Sequence, residues 1–544
     1  MANRSILDLL PLDIVELVVR EGKNYDRKDF CGLRLVCKAV NELVEPEVFS
    51  TITIHFIRDD SEKWRNIPEF LSNLASGMNP YVRWAKELQL SGLVPIQFAD
   101  VYWSQYDPWQ GEEREAMLAC QQEWLTAAIE SLVQVERVRF VANSREPYHD
   151  VLRALGNLPR LRDLSIIFHS YSPFEDVPFA GFSNLNSIRL TGLPMTTHIL
   201  DGVKALLAKS PSMTELVLNA PHQPDRPDGP GEKKVELSSM VEDVMQPNFS
   251  PTLKELTISA APLKLSPSCA PFLRSLTSLE ILNDSAHVQP SFWKALQDSG
   301  VHLQELKVAP LRQPIVDYLL SYSGLRGFTL DWSEQDAEDV EKVVPRFFHG
   351  VLPRHRDAIQ SISFKHTKLG PWTVTQSYLN EGVYLCKKLK YLTLIYYFPS
   401  PNEKHTHPII PLANLFREIS DNLPQLEILR LEHTRKFQRS FGCGYACGQY
   451  FQTVGRAFAS HIISSKSQFS SKRQPQFDLD AAGTTFISKP VGAASSGSDP
   501  ETGSGSGSGE YYRFDIPKAS DNLELRCDEA VFDCDAYSGD EGFY

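Results

Sequence analysis

The chain has little positive charge for its length. Its 544 residues include 68 Asp and Glu against 55 Lys and Arg, which gives a formal net charge of -13. A chain with this balance offers no general attraction to phosphate groups. We therefore expect that neither nucleic acid nor an anionic membrane surface is its partner.

Cysteine is sparse, and no long hydrophobic run is present. The nine cysteines are odd in number and scattered, at positions 31, 37, 120, 269, 386, 443, 447, 527 and 534, unlike the disulfide framework of a small secreted domain. The longest largely apolar run, residues 392–398, is too short to cross a bilayer, and Asp8 and Asp13 interrupt the apolar stretch near the N-terminus. We expect a soluble protein without a membrane partner, in the cytoplasm, the nucleus or both.

The sequence carries no recognisable catalytic or metal-binding motif. It has no nucleophile elbow, kinase signature or HExxH sequence. Cys443 and Cys447 form a C-x-x-x-C pair, but a structural zinc site needs a second ligand pair at a suitable spacing. We therefore expect no enzymatic activity, no metal and no cofactor.

The first fifty residues have the pattern of two short amphipathic helices. Pro11 suits a first helical turn, and Asp29 can cap the second helix. An apolar stripe recurs at helical spacing in each: Leu10, Ile14, Leu17 and Val18 in the first, and Phe30, Leu33, Val36, Cys37, Val40, Leu43 and Val44 in the second. Two helices of this size cannot bury all their apolar surface against each other, so part of it is predicted to meet a partner.

The order of these residues resembles the F-box motif. A Leu10-Pro11 pair, an apolar helix, the run D-F-x-x-L-R-L-V-C-K and then P-x-V-F follow one another within residues 9–50. The resemblance implies that residues 1–50 are an F-box, which binds the Skp-type adaptor and through it the cullin of a ubiquitin ligase. The positions implied to contact the adaptor are Leu10, Pro11, Ile14, Leu17, Val18, Leu33, Val36, Cys37 and Val40. The family often has an aromatic residue shortly after the V-C-K run, where this chain has Ala39 and Val40.

From about residue 82 onward, one short pattern recurs: apolar-x-x-apolar-x-apolar. Its copies start at Ala85, Val135, Leu161, Leu185, Met213, Leu253, Leu279, Leu303, Leu325, Ile359, Leu389 and Leu426, although Leu276 could begin the seventh equally well. Many adjacent starts lie 22 to 30 residues apart, which is the period of leucine-rich repeats. Because no single repeat closes a core, neighbouring repeats must stack.

The spacing within each copy predicts a strand. The last two apolar positions lie two apart and face one side of a strand, while the x positions face the other. Helices are predicted between strands at 198–209, 338–348 and 412–422, and TITIHF, residues 51–56, is predicted to be an extra strand. The expected fold class is therefore α/β: a short all-α F-box followed by a curved leucine-rich-repeat solenoid, with parallel strands inside and helices outside.

The chain is expected to divide into four parts. Residues 1–50 are the F-box, and 51–463 are an irregular repeat solenoid whose capping helix lies in 435–463. Residues 464–510 are rich in serine and glycine and are predicted to be a flexible linker without fixed structure. Residues 511–544 are an acidic tail with aromatic residues.

The favoured function is substrate recognition for a Skp-cullin-F-box ubiquitin ligase, with an unknown substrate protein on the concave face of the solenoid. The alternative is a leucine-rich-repeat scaffold or regulatory binding protein outside any ligase. Substrate contacts are expected from outward-facing x positions: Arg137, Arg139, Asp163, Arg189, Glu215, Glu255, Lys307, Tyr391 and Arg430. Their mixed charge suits a protein or peptide better than a polyanion.

Overall fold

The computed structural model describes residues 14, 17, 31–35, 38–56, 63–94, 111–143, 148–169, 177–193, 196–220, 235–242, 250–259, 263–282, 287–331, 340–365, 371–396, 410, 412–433, 476–481 and 484–487. Of the segments predicted above, the capping helix at 435–463 and the tail at 511–544 lie outside these residues.

Strands and helices alternate along most of the described chain. The strands are β1 Thr51–His55, β2 Glu87–Ser91, β3 Arg137–Asn143, β4 Asp163–His169, β5 Ser187–Thr191, β6 Glu215–Asn219, β7 Val235–Glu236, β8 Glu255–Ser259, β9 Leu263–Leu265, β10 Ser278–Leu282, β11 His287–Val288, β12 Glu305–Val308, β13 Gly327–Asp331, β14 Ser361–Lys365, β15 Tyr391–Tyr396, β16 Ile428–His433, β17 Gln476–Ala481 and β18 Thr484–Ile487.

The helices lie mainly between consecutive strands. They are α1 Lys38–Val48, α2 Ile67–Ala75, α3 Pro80–Trp84, α4 Gly111–Ser131, α5 Tyr148–Gly156, α6 Thr197–Ala208, α7 Leu237–Val241, α8 Pro290–Asp298, α9 Gln313–Leu320, α10 Val340–Arg346, α11 Leu352–His355, α12 Gln376–Glu381 and α13 Leu412–Asn422. A π-helical turn, Phe347–Val351, joins α10 to α11. The helices predicted at 198–209, 338–348 and 412–422 are confirmed to within a few residues at their ends.

Each copy of the repeated pattern forms one strand, as its spacing predicts. In β4, Leu164 and Ile166 are buried on one face, and Leu161 turns into the same core from the preceding turn. The buried positions are the second and third apolar residues of the copy, so the period of two sets the burial. The predicted strand at 51–56 is also confirmed, as β1.

The burial pattern of β10 decides which residue begins the copy near residue 279. Leu279 and Ile281 are the two buried residues of β10, so Leu276 occupies the first apolar position of that copy. A start at Leu279 is therefore wrong, because it would assign the inward positions to Leu282, which is only half-buried, and to the polar residue Asp284. A one-residue or three-residue shift in register exchanges the two faces of a strand, and burial decides between the alternatives.

Met1–Leu276 together with Ser285–Phe292 form the first of two compact units. In it, β1 to β6 and β8 lie side by side in chain order, and each strand is parallel to its neighbour. A small second sheet pairs β7, β9 and β11, also in parallel. Parallel neighbours require crossovers, and the helices listed above supply several of them.

Thr277–Asp284 together with Trp293–Tyr544 form the second unit. Strands β10 and β12 to β17 are parallel neighbours, and β18 returns antiparallel to β17. Part of its core is aromatic: Phe328 contacts Phe347 at a ring-centroid distance of 4.5 Å, and Phe347 meets Trp372 edge to face. Buried rings of this size dominate the apolar area of a core.

The prediction of a structureless linker at 464–510 is wrong for ten of its residues. β17 and β18 lie inside this range, and β17 pairs with β16 through five register positions. The reason is visible in the sequence of β17, Q-F-D-L-D-A, in which Phe477 and Leu479 alternate with polar residues. This alternation is typical of a strand, whereas the serine and glycine residues are concentrated later in the range.

Candidate binding surfaces

The first candidate surface is the segment that resembles an F-box. Of the nine positions implied to contact an adaptor, Leu10, Pro11, Val18, Val36 and Cys37 lie outside the described residues. Ile14 and Leu17 are helical, and they are 41% and 53% exposed. They lie three positions apart and therefore share one face of a helix.

The remaining two positions belong to the packing of the segment itself. Val40 is only 4% exposed and forms a buried cluster with Val44 and Val48, against which the half-buried Leu33 packs. In this structure the side chain of Val40 therefore contributes to the core of the segment and not to an open surface. Periodicity identifies both kinds of apolar residue without separating them.

A polar and aromatic network ties this segment to the residues that follow it. The guanidinium of Arg34 lies over the ring of Phe49, 4.5 Å from its centroid, and its Nε donates to Oδ1 of Asn41. Phe49 in turn meets Tyr81 edge to face at 4.9 Å. The cation–π contact and the ring contact hold the end of α1 against α3.

The second candidate surface is the strand face of the first unit that carries the x positions, which we call the polar strand face. Because neighbouring strands are in register, these residues form rows across the sheet. The first row is Glu87, Arg137, Asp163, Ser187, Glu215 and Glu255, and the second is Gln89, Arg139, Ser165, Arg189, Val217 and Thr257.

Two ion pairs neutralise four of the charges on the polar strand face. Arg137 lies 3.2 Å from Glu87, and Arg189 lies 2.5 Å from Glu215. The carboxylate of Glu215 also accepts a hydrogen bond from the Ser187 hydroxyl at 2.6 Å, and its side chain is only 15% exposed. A carboxylate held by two partners in this way is a fixed part of the surface.

Asp163 lies between these two pairs. Burial raises the pKa of its carboxyl above the usual value; Arg137 and Arg189 oppose this shift, while Glu215 and Glu136 add to it. The ionised form of Asp163 therefore lowers the stability of the folded protein, because desolvation and the neighbouring negative charges both disfavour ionisation.

Arg139 and Glu255 complete the face as exposed side chains. Neither makes an ion pair or a side-chain hydrogen bond with any residue that the structure describes. They therefore differ from Arg137, Arg189 and Glu215, whose charges are already matched within the chain.

The other three predicted substrate contacts, Lys307, Tyr391 and Arg430, occupy the corresponding strand positions of the second unit. Lys307 lies 2.6 Å from Glu280 and 4.0 Å from Asp331, so it sits between two carboxylates. Tyr391 is exposed, and its hydroxyl donates to Glu427. Arg430 is half-buried on β16, one strand further along.

Sequence reasoning missed the acidic partners Glu87, Glu280 and Asp331. The repeated pattern could have identified Glu87 and Glu280, because each is an outward-facing x position of its copy. Asp331 lies one position past the last apolar residue of its copy, at the end of β13.

In the ranges that the structure describes, no group of three or more His, Cys, Asp or Glu residues is arranged to hold a metal ion. None of the described helices combines the length and the apolar character needed to cross a membrane. The described cysteines are free: Cys120, Cys269 and Cys386 are buried and Cys31 is exposed. Burial raises the pKa of Cys269 and of Cys386 to about 12, so both are thiols at neutral pH.

Comparison with known proteins finds no family model that matches the chain and no match among curated proteins. Among solved structures, the chain is similar to one described as "Structure of the Toll - Spatzle complex, a molecular hub in Drosophila development and innate immunity". The match has 14% sequence identity and a TM-score of 0.27, and it covers 57% of this chain and 36% of that one. The chain thus spans about a third of the length of the solved chain, and the match identifies no family.

Proposed function

We propose that the protein is a substrate-recognition adaptor of a Skp-cullin-F-box ubiquitin ligase. In this proposal residues 1–50 are an F-box that binds the Skp-type adaptor, and the repeated strand units are a leucine-rich-repeat solenoid that binds a target protein. The observation that carries it is the presence of two unlike surfaces, an exposed apolar pair near the N-terminus and a polar strand face of mixed charge.

The exposed pair supports the adaptor half of the proposal. Ile14 matches the F-box motif, Leu17 is an expected adaptor contact on the same helix, and both expose much of their apolar surface. Burying such a side chain fully is worth about 1.5 to 3 kcal/mol. Two neighbouring side chains on one helix face can therefore supply a large part of the affinity for a partner.

The repeated units support the solenoid half. Each copy contributes one parallel strand with two buried residues, and a helix or turn separates it from the next. Units of this kind stack on their neighbours and present one strand face as a continuous binding surface. That face carries matched and unmatched charges of both signs, a pattern that selects a protein partner through complementary charge.

A binding experiment with the full chain and a purified Skp-type adaptor tests the first half. Replacing Ile14 and Leu17 together with aspartate is expected to weaken adaptor binding by at least about 100-fold, because two apolar contacts are lost and two charges are introduced. Met78→Asp is the matched control, because Met78 is also an exposed apolar residue and lies outside the F-box segment.

Equal adaptor affinity of the double variant and the unaltered chain would refute the F-box assignment. Co-purification of the full chain from cells tests the ligase assignment. Recovery of cullin together with the adaptor supports a ligase subunit. Recovery of the adaptor without cullin supports the alternative, a binding protein that pairs with the adaptor outside any ligase.

A further inference from the structure

Two unmatched charges of opposite sign bound a stretch of the polar strand face in the first unit, and we call them the two ends of that stretch. Arg139 lies on β3 and Glu255 on β8, with β4, β5 and β6 between them. Both side chains are exposed, and within the described ranges neither has an ion-pair partner. A partner can bind an unmatched charge without first breaking an ion pair within the protein.

The charges between these two ends are largely balanced within the chain. Arg189 pairs with Glu215, and Arg137 pairs with Glu87 beside the first end. Asp163 is half-buried and interacts with Arg137 and Arg189. An approaching chain therefore meets one available cation and one available anion, separated by a surface whose charges are largely balanced.

The register of the sheet fixes the separation of the two ends. Neighbouring strands lie about 4.8 Å apart, and four such steps lead from β3 to β8, so the two backbone positions are about 20 Å apart. An extended chain advances about 3.3 Å per residue and covers this distance in about six residues. A helix rises 1.5 Å per residue and would need about thirteen.

We propose that this face binds an extended segment of the target that carries an acidic and a basic residue about six positions apart, the acid on Arg139 and the base on Glu255. The inference rests on the proposed function, because it names the kind of segment that the repeat array recognises. A polyanion does not fit, because Arg139 is the unmatched cation of this stretch and Glu255, at the other end, would repel a second negative charge.

The small side chains between the two ends suit a peptide backbone that crosses the strands. Ser165 separates Arg139 from Arg189 in the second row, and Val217 and Thr257 follow on the other side. None of these three reaches far above the sheet. A crossing segment can therefore approach closely enough for its own charged side chains to reach both ends.

Selection of a displayed library of random twelve-residue peptides on the immobilised full chain tests the inference. In the enriched peptides, acidic and basic residues are expected to occur together at a separation of five to seven positions more often than in the starting library. Charge reversal of either end, by Arg139→Glu or Glu255→Arg, is expected to abolish this correlation. For a single enriched peptide, each reversal is expected to reduce affinity at least about fivefold.

The double variant Arg139→Glu with Glu255→Arg supplies the sharpest comparison. It keeps the net charge of the face and exchanges its ends, so for a fixed direction of the peptide chain the order of acid and base is expected to be reversed among the enriched peptides. Matched controls are Arg153→Glu and Glu115→Arg, which reverse exposed charges on α5 and α4. Both controls are expected to leave the enriched pattern unchanged.

The inference is overturned if no peptide is enriched, if enriched peptides show no charge separation, or if the pattern survives Arg139→Glu. Measuring adaptor binding on the same protein separates this outcome from failure of the proposed function. A chain that binds the adaptor but selects no charge-spaced peptide contradicts the inference alone. A chain that selects such peptides but does not bind the adaptor contradicts the ligase assignment alone.

Discussion

Nε2 of His355 lies 3.0 Å from the carbonyl oxygen of Leu319, in the last turn of α9. On the other side of the ring, Nδ1 accepts hydrogen bonds from the backbone amides of Gly324 and Leu325. Since Nδ1 accepts, the proton of the neutral ring is on Nε2, which donates to Leu319. This buried imidazole therefore satisfies backbone groups at the end of a helix and at the approach to β13.

We expect His355 to make the protein less stable as the pH is lowered. Burial lowers the pKa of His355 to about 4, whereas an unfolded histidine titrates near 6.5. Between these values the unfolded chain binds a proton that the folded chain excludes, so the free energy of unfolding decreases as the pH falls from 6.5 to 4. The contribution above pH 6.5 is on the order of 3 kcal/mol, and urea unfolding at pH 7 and at pH 4.5 measures its loss.

A variant comparison separates the contribution of His355 to this pH dependence from that of carboxylates that titrate in the same pH range. His355→Gln is less stable at pH 7 but is expected to lose less stability between pH 7 and 4.5 than the unaltered chain. Equal pH dependence in the variant and the unaltered chain would contradict the role of His355.

The two glycines Gly192 and Gly77 allow a backbone clash to be separated from backbone strain. Both have a positive φ, +77° and +76°, so alanine is strained at either position. At Gly192, a Cβ atom would also meet the Phe168 carbonyl oxygen far inside van der Waals contact, whereas the space beside Gly77 is open.

We therefore expect Gly77→Ala to cost about 1 kcal/mol and Gly192→Ala to cost at least about 2 kcal/mol more. Gly192 follows directly after β5, which carries Arg189, so the second variant also displaces the polar strand face. Thermal unfolding of both variants measures the difference. Similar midpoints would show that the close approach of Gly192 to Phe168 is not needed for folding.

Replacing Asp163 with asparagine tests whether this carboxylate is kept for stability. The pKa of Asp163 is raised, so the folded state disfavours its ionised form, and at neutral pH the charge lowers the free energy of unfolding. We expect Asp163→Asn to be as stable as the unaltered chain, or slightly more stable, at pH 7. The advantage should shrink as the pH falls from the raised pKa of the folded state toward the ordinary pKa of the unfolded chain, because the carboxyl of the folded protein is then protonated and no longer a buried charge. A marked loss of stability at pH 7 would show that its contacts with Arg137 and Arg189 outweigh the cost of burial.

The strands were predictable from the sequence because their information is local. The period of two within each copy identifies both the buried residues of β4, Leu164 and Ile166, and its outward-facing Asp163. Which charges meet is not local information. Arg137 pairs with a glutamate fifty residues earlier, and that contact depends on which strands are neighbours and in what register.

Composition and periodicity give wrong predictions where they describe only an average over many residues. β17 lies in a segment whose serine and glycine content predicts a linker, although six of its residues alternate like a strand. Val40 belongs to the same apolar stripe as positions matched to an adaptor surface, but it is buried against Val44. An apolar stripe predicts that a helix face is buried. Only the folded structure shows whether it is buried against the same chain or left exposed for a partner.

The pair of Arg189 and Glu215 allows structural and recognition roles on the polar strand face to be separated. The two side chains lie on neighbouring strands, and the carboxylate is largely buried. Arg189→Glu places a second carboxylate beside Glu215 and is expected to cost about 1 to 2 kcal/mol of stability. Exchanging both residues, Arg189→Glu with Glu215→Arg, restores opposite charges and is expected to recover about 1 kcal/mol of that loss.

The exchange leaves the net charge of the face unaltered, but it reverses the local field between Arg139 and Glu255. If these two residues are the contacts of a bound segment, the exchanged variant should keep most of its affinity for an enriched peptide, because the pair remains neutral as a whole. If the target instead contacts Arg189, affinity should fall even though stability is recovered. Chemical unfolding and peptide titration on the same four proteins, which are the unaltered chain, the two single variants and the exchange, decide between these outcomes. A coupling energy near zero in the unfolding data would show that the ion pair does not stabilise the fold, and the carboxylate of Glu215 would then be held mainly by Ser187.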